Sequence, residues 1–113
     1  NFGHTFGHAI EHCQGYGEWL HGEAVAAGMV MAAELSDIDA EEKRRIAKLI
    51  ERAGLPVKVP AIGAQRMRAA MGMDKKVLGN QLRFVLLDRL GNAITTSSYD
   101  EARLEKVLEA SNG

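Results

Sequence analysis

The 113-residue sequence contains one cysteine, two prolines and few aromatic side chains. Its single cysteine, Cys13, cannot form an internal disulfide, which excludes a disulfide-stapled secreted domain and fits a reducing cytoplasm. The longest apolar run, residues 24–33, is far shorter than the roughly 18 residues that indicate a membrane span, and no stretch resembles a signal peptide. The formal net charge of -1 gives no support for a nucleic-acid or anionic-membrane binder. We therefore expect a cytoplasmic protein with neither kind of partner.

The sequence also lacks an initiator methionine and begins inside its most distinctive segment. We therefore expect the C-terminal piece of a longer protein. Its length and its apolar content of 46% suit one domain, residues 1–113, with a continuous hydrophobic core.

The first half of the chain has helical patterns. Residues 1–13 form the first predicted helix, and a second begins after His21-Gly22 and continues to residue 35. The second is apolar on every side over ten residues, so it should be central and buried. Asp39, with Glu42 three residues later, predicts the start of a third helix that ends near Gly54.

The second half mixes short helices with a hairpin. Residues 64–71 predict a short helix, and residues 82–87 and 93–97 predict two strands. A capping box at residues 98–101 begins the last helix. Core positions on the third and last helices are predicted at Ile46, Leu49, Ile50, Leu104, Val107 and Leu108. The predicted fold class is mainly α, with a small β-hairpin near residues 82–97.

All four histidines lie within the first 21 residues. His4, His8 and His12 are spaced by four, so a helix places them along one stripe, and His21 follows after a short glycine-containing loop. Imidazoles on successive helical turns can hold one metal ion. The zincin protease motif requires Glu directly after the first histidine, and this chain has Thr5 there, which excludes that class.

The spacing predicts a metal site without deciding which histidines are its ligands. A catalytic zinc takes three protein ligands and keeps one open position. The nearby carboxylates, Glu11, Glu18 and Glu23, have no compelling placement in the sequence, and the helix dipole already explains Glu23. The site as the sequence gives it is incomplete.

Two segments carry a specific resemblance. Residues 1–11, Asn-Phe-Gly-His-Thr-Phe-Gly-His-Ala-Ile-Glu, and residues 20–29, Leu-His-Gly-Glu-Ala-Val-Ala-Ala-Gly-Met, resemble the C-terminal domain of the 3-dehydroquinate synthases. The segments 73–76 and 83–87 follow in the order that this family shows. The resemblance covers essentially the whole chain and implies a dehydroquinate synthase-like fold, of which the N-terminal NAD-binding domain is absent.

The family converts 3-deoxy-D-arabino-heptulosonate 7-phosphate to 3-dehydroquinate and phosphate, in the shikimate pathway of aromatic amino acid biosynthesis. The resemblance implies a phosphorus–oxygen lyase that acts by NAD-assisted oxidation, phosphate elimination, reduction and aldol cyclisation. It implies NAD and a divalent metal, zinc or cobalt, as cofactors, and a homodimeric parent protein. We expect the isolated chain to be inactive, because the NAD site and one metal ligand are missing.

Residue roles follow from the same resemblance. It implies that His4 and His21 are metal ligands and that a glutamate of the absent domain is the third. It assigns His8 to the substrate, as a catalytic group that can donate a hydrogen bond or move a proton near pH 7.

The remaining implied substrate contacts are Asn1 and one lysine of the pair Lys75 and Lys76, with Lys76 favoured. Taken alone, Asn1 would be a helix cap, and the lysine pair would be a solvated loop. Only the resemblance turns them into substrate-binding residues.

Three alternatives stay open on the sequence. A metal-dependent alcohol or glycerol dehydrogenase has a similar architecture and histidine spacing, although residues 1–3 and 74–76 favour the synthase. Related sugar-phosphate cyclases differ partly in residues that this chain lacks. A stand-alone helical module that binds metal without catalysis is the third.

Overall fold

The computed structural model describes residues 2–15, 19–58, 62–72, 84–89, 92–96 and 99–110. Within these ranges the elements are α1 His4–Gln14, α2 His21–Leu35, α3 Ala40–Arg52, α4 Ala64–Ala70, β1 Phe84–Arg89, β2 Asn92–Thr96 and α5 Glu101–Glu109. The predicted mainly α fold with a small hairpin is confirmed. None of these described helices is both long and apolar enough to cross a membrane.

Helix α2 is the central element, as its apolar sequence predicts, and it contacts α1, α3, α5 and β1. Its contact with α1 is made backbone to backbone. A Cβ atom added to Gly28 of α2 would lie 2.3 Å from the carbonyl oxygen of Gly3 and 2.7 Å from the backbone nitrogen of Gly7. Only glycine fits such a crossing, because any side chain at Gly28 would overlap the main chain of α1.

The hairpin packs on the core through side chains of its first strand, above all through the aromatic ring of Phe84. The two strands are antiparallel, with Phe84 opposite Thr96, and Phe84 and Leu86 face the core in the alternation expected of a half-buried strand. The Phe84 ring stacks on Phe6 of α1 at 5.0 Å and meets Tyr99 edge-on at 4.9 Å. These contacts fix the hairpin against the helix that carries three of the four histidines.

The third helix is less buried than its sequence pattern predicts. Asp39 caps α3 as expected, accepting a 2.8 Å hydrogen bond from the Glu42 N–H. Ile50 is buried, but Leu49 is 71% exposed, so the core position predicted there is wrong. Adjacent helical residues point about 100° apart, so the side of α3 that buries Ile50 leaves Leu49 in solvent.

The last helix begins later than predicted. The capping box was placed at Ser98, which lies outside the described residues, whereas Asp100 is the residue that caps α5. Its carboxylate accepts a 3.0 Å hydrogen bond from the Arg103 N–H, and this bond lowers the pKa of Asp100. The buried positions predicted for α5 are confirmed at Leu104, Val107 and Leu108.

A buried serine connects the end of α2 to the hairpin. The Ser36 hydroxyl donates a 2.7 Å hydrogen bond to the Ala32 carbonyl and accepts one of 2.9 Å from the Leu87 N–H. The Arg103 guanidinium donates to the carbonyls of Leu35 and Ser36, each at 3.3 Å. One fully buried side chain thus satisfies main-chain groups of two elements.

Replacing Ser36 with Ala is expected to lower the free energy of unfolding by about 1–3 kcal/mol, because the Leu87 N–H loses its acceptor. Urea denaturation followed by circular dichroism measures this change. Thr95→Ala, at an exposed position of β2, is the control and should change stability by about 0.5 kcal/mol or less. Equal effects of the two substitutions would contradict the role of the buried hydroxyl.

Candidate metal centre

Three of the four histidines form a cluster where α1 meets the start of α2. The ring centre of His4 lies 5.5 Å from that of His8 and 5.6 Å from that of His21, and His8 and His21 are 6.0 Å apart. Imidazole nitrogens bind zinc at about 2.0–2.1 Å, so the centres of two rings sharing an ion lie roughly 5–6 Å apart. The three rings therefore lie close enough together to share an ion, and His12 lies one turn further along α1.

The glycine crossing explains why the rings converge. Because Gly7 lies against the backbone of Val25 and Ala24, no side chain separates α1 from α2. His4 and His8 flank this contact on α1, and His21 opens α2 after the loop. Tight packing of the two backbones thus brings side chains from two helices to one place.

The histidines fit a divalent metal. Within the described part of the chain, the buried Nδ1 atom of His4 has no hydrogen-bond partner. A buried polar atom without a partner costs free energy, and an ion or a bound ligand would supply one. Neutral imidazole nitrogens suit zinc and related ions. His4 and His21 are thus chemically and spatially able to hold such an ion, although which histidines do so stays a prediction.

A carboxylate that the sequence left unassigned belongs to this cluster. Oε1 of Glu11 lies 2.9 Å from Nδ1 of His21, a hydrogen-bond distance. The sequence spacing could have indicated that Glu11 lies near the histidines, because Glu11 follows His8 by three residues and therefore shares its face of α1. Glu23, by contrast, lies in the first turn of α2 and accepts a 2.9 Å hydrogen bond from the Leu20 N–H, which is a capping contact at the start of the helix.

The geometry also offers a second set of ligands. Single ligand atoms of His8, Glu11 and His21 all lie within 4.8 Å of one another, and this set leaves out His4. Two ligands of one tetrahedral zinc ion are roughly 3.3 Å apart, since each lies about 2.0–2.1 Å from the ion. The distance of 2.9 Å between Oε1 of Glu11 and Nδ1 of His21 is shorter than this spacing and lies in the range of hydrogen bonds.

The other predicted substrate contacts, Asn1, Lys75 and Lys76, lie outside the described residues, so their assignments stay predictions. The carboxylate of Glu18, which has no assignment, lies outside them as well. The methionines Met67 and Met71 are buried in the core, as expected of packing residues.

Cys13 behaves as a packing residue. Its side chain is half-buried against the core, and burial raises the pKa of its thiol, with the Arg66 charge acting in the opposite direction. Arg66 donates a 2.7 Å hydrogen bond to the Cys13 carbonyl, and Arg68 pairs with Glu105 of α5. These groups thus make structural contacts within the chain.

A cavity of about 660 Å³ lies between α2, α3 and α5, and its lining includes Val30, Lys43, Arg103 and Val107. It has no histidine in its lining, so it is separate from the cluster. The chemistry of the described residues concentrates at the histidines instead.

Fold and site together define a helical domain whose two glycine-packed helices carry a histidine cluster suited to a divalent metal. A sequence profile described as "3-dehydroquinate synthase C-terminal" matches residues 1–77. The chain belongs to this family.

Curated relatives agree along nearly the whole chain. It is 52% identical to 3-dehydroquinate synthase of Acinetobacter baylyi over 114 residues, covering 97% of this chain and 32% of that protein. It is 53% identical to 3-dehydroquinate synthase of Nitrosococcus oceani over 114 residues, covering 96% of this chain and 32% of that protein. The chain thus spans about a third of the length of the relatives it matches.

Solved structures share the fold. A 2-epi-5-epi-valiolone synthase from Streptomyces hygroscopicus subsp. jinggangensis, with NAD⁺ and Zn²⁺ bound, superposes with a TM-score of 0.77 at 27% identity, covering 95% of this chain and 31% of that one. A 2-deoxy-scyllo-inosose synthase complexed with carbaglucose-6-phosphate, NAD⁺ and Co²⁺ superposes with a TM-score of 0.73 at 24% identity. The match covers 96% of this chain and 33% of that one. The second likeness concerns the fold alone.

Proposed function

We propose that the chain is the metal- and substrate-binding part of a 3-dehydroquinate synthase, which converts 3-deoxy-D-arabino-heptulosonate 7-phosphate to 3-dehydroquinate and phosphate. The observation that carries this proposal is the histidine cluster: the ring centres of His4, His8 and His21 lie within 6.0 Å of one another. The chain that contains it is about half identical in sequence to synthases of that name. The working enzyme joins this sequence to a nucleotide-binding domain. That joined protein is called the complete enzyme below.

In this proposal, His4 and His21 hold a divalent metal, zinc or cobalt, and a residue outside this chain supplies a further ligand. When bound, the metal polarises substrate hydroxyl groups and holds them in place. The two histidines are presented by two helices whose backbones pack directly against each other. The unpartnered Nδ1 atom of His4 supports this assignment.

His8 is the catalytic group that this chain supplies. Its ring is exposed beside those of the two proposed ligands, so it can meet a substrate held there and donate a hydrogen bond or move a proton. Asn1 and one of Lys75 and Lys76 bind polar and anionic groups of the same substrate. NAD, held by the other domain, supplies reversible hydride transfer.

The same proposal gives the setting of the protein. Its substrate is a phosphorylated sugar acid. We propose that the complete enzyme is a cytoplasmic homodimer. We propose no nucleic-acid partner and no membrane partner. The near-neutral charge and single cysteine support this setting. Size-exclusion chromatography with light scattering of the complete enzyme tests the dimer.

The activity test compares two proteins. With substrate, NAD and zinc, the complete enzyme should release inorganic phosphate, while the 113-residue chain alone should release none above background. The proposal gives the isolated chain two metal ligands and places the NAD site in the other domain, so the chain alone should not carry out the reaction. Phosphate release by the isolated chain would contradict this division of labour.

A related sugar-phosphate cyclase is the second candidate, favoured by the match to 2-epi-5-epi-valiolone synthase. The two differ in substrate, so the discriminating assay offers the complete enzyme the seven-carbon sugar acid phosphate and, separately, a seven-carbon sugar phosphate without the carboxylate. The synthase proposal requires turnover of the acid. Turnover of the second substrate alone would favour the cyclase.

A further inference from the structure

The Glu11 carboxylate on α1 and the His21 imidazole on α2 are joined by the 2.9 Å hydrogen bond between Oε1 and Nδ1. We propose that Glu11 is a positioning residue for the metal centre, holding the His21 ring through Nδ1–H so that its Nε2 atom is free for the ion. This inference rests on the proposed function, because it takes His21 as a metal ligand.

The two partners differ in their exposure. The side chain of His21 is 58% exposed, whereas that of Glu11 is only 13% exposed. A carboxylate so shielded from water needs hydrogen-bond donors close by, and the His21 ring provides one. The exposed His21 ring is therefore held by the shielded Glu11 carboxylate. Glu11 belongs to α1, the helix that packs against α2.

The hydrogen bond selects a tautomer. A neutral imidazole carries one hydrogen, on either Nδ1 or Nε2, and a carboxylate can only accept. Donation from Nδ1 to Glu11 therefore leaves the Nε2 lone pair available, and a metal ion binds the nitrogen that carries no proton. Carboxylates in this outer position orient metal-bound histidines and raise their basicity.

The arrangement gives α1 two roles at one ion. It supplies the proposed ligand His4 directly and, two turns further along, the residue that holds the ligand of the other helix. The 2.9 Å distance makes the contact between Glu11 and Nδ1 a hydrogen bond, so Nε2 is the ring nitrogen left for the ion.

The test uses the complete enzyme stripped of metal and titrated with zinc against a competing chelator. Glu11→Ala should weaken zinc binding about 10- to 100-fold, the usual effect of removing an outer partner. Glu11→Gln should fall between Ala and the parent, since its amide oxygen can still accept from Nδ1–H. Glu51→Gln, an equivalent change at an exposed position of α3, should leave zinc affinity unchanged.

A spectroscopic measurement separates positioning from general structural damage. The ¹⁵N shifts of the His21 ring in the metal-free complete enzyme should report a proton on Nδ1 in the parent and in Glu11→Gln. In Glu11→Ala they should report a larger share of the Nε2–H form. A purely structural effect of the substitution would not move the tautomer in this direction.

Three results would overturn the inference. Zinc affinity of Glu11→Ala within twofold of the parent, with an unchanged tautomer, removes the positioning role while the metal site itself stands. A loss as complete as that of His21→Ala makes Glu11 a ligand instead. Full zinc affinity in His21→Ala refutes the proposed metal site, and with it the role of Glu11.

Discussion

Replacing His21 with Ala is expected to leave the complete enzyme without stoichiometric zinc. His21 is shared by both ligand sets that the geometry permits, so its removal leaves neither set intact. The loss of affinity should exceed the roughly 10- to 100-fold that follows loss of an outer partner. Zinc content after dialysis, measured by atomic emission against protein concentration, gives the result directly.

Two further histidine substitutions serve as controls for that experiment. His12→Ala changes an exposed residue one turn beyond the cluster and should retain one zinc per chain. His8→Ala should also retain zinc while losing turnover, because His8 is assigned to the substrate. Unchanged zinc in His21→Ala would remove this residue from the ligands and contradict the account.

Gly28→Ala is expected to lower the stability of the chain strongly, although it adds a single methyl group. The new Cβ would lie 2.3 Å from the Gly3 oxygen and 2.7 Å from the Gly7 nitrogen, both main-chain atoms that no side-chain rotation can move away. Overpacking usually costs about 1–3 kcal/mol, and a backbone-to-backbone clash should cost about 3 kcal/mol or more. Denaturant unfolding of parent and variant chains measures the difference.

The same helix contains its own control. Gly22 is also in α2, but a Cβ added there would meet nothing within 4 Å. Gly22→Ala should therefore be neutral or stabilising by up to about 1 kcal/mol, through the higher helix propensity of alanine.

The variant Gly28→Ala should in addition bind zinc more weakly, because separating the helices separates His4 from His21. Equal stability of the two variants would show that the crossing tolerates a side chain.

Much of this fold could be predicted because local chemistry and the final packing agree. The uniformly apolar sequence of α2 predicts a central helix, and α2 is the element against which α1, α3, α5 and β1 pack. The Asp39 cap and the alternation at Phe84 and Leu86 are likewise local signals that the tertiary structure keeps.

The misjudged positions depend on neighbours that the sequence does not name. Leu49 and Ile50 are adjacent and both apolar, and only the tertiary packing of α3 decides which of them is covered. Ser98 and Asp100 are both good caps by residue type, so the local sequence does not choose between them, and α5 begins after Asp100. Glu11 had no compelling placement in the sequence, because only the packing of α1 on α2 pairs it with His21.

The central claim is that His4 and His21 bind one metal ion across the contact of α1 with α2. The most direct test is a crystal structure of the zinc-loaded complete enzyme, with anomalous diffraction measured at the zinc edge. We predict a single zinc peak with one nitrogen of His4 and one of His21 each about 2.0–2.1 Å away. A zinc ion held by His8, Glu11 and His21, with the His4 ring turned away, would contradict the claim.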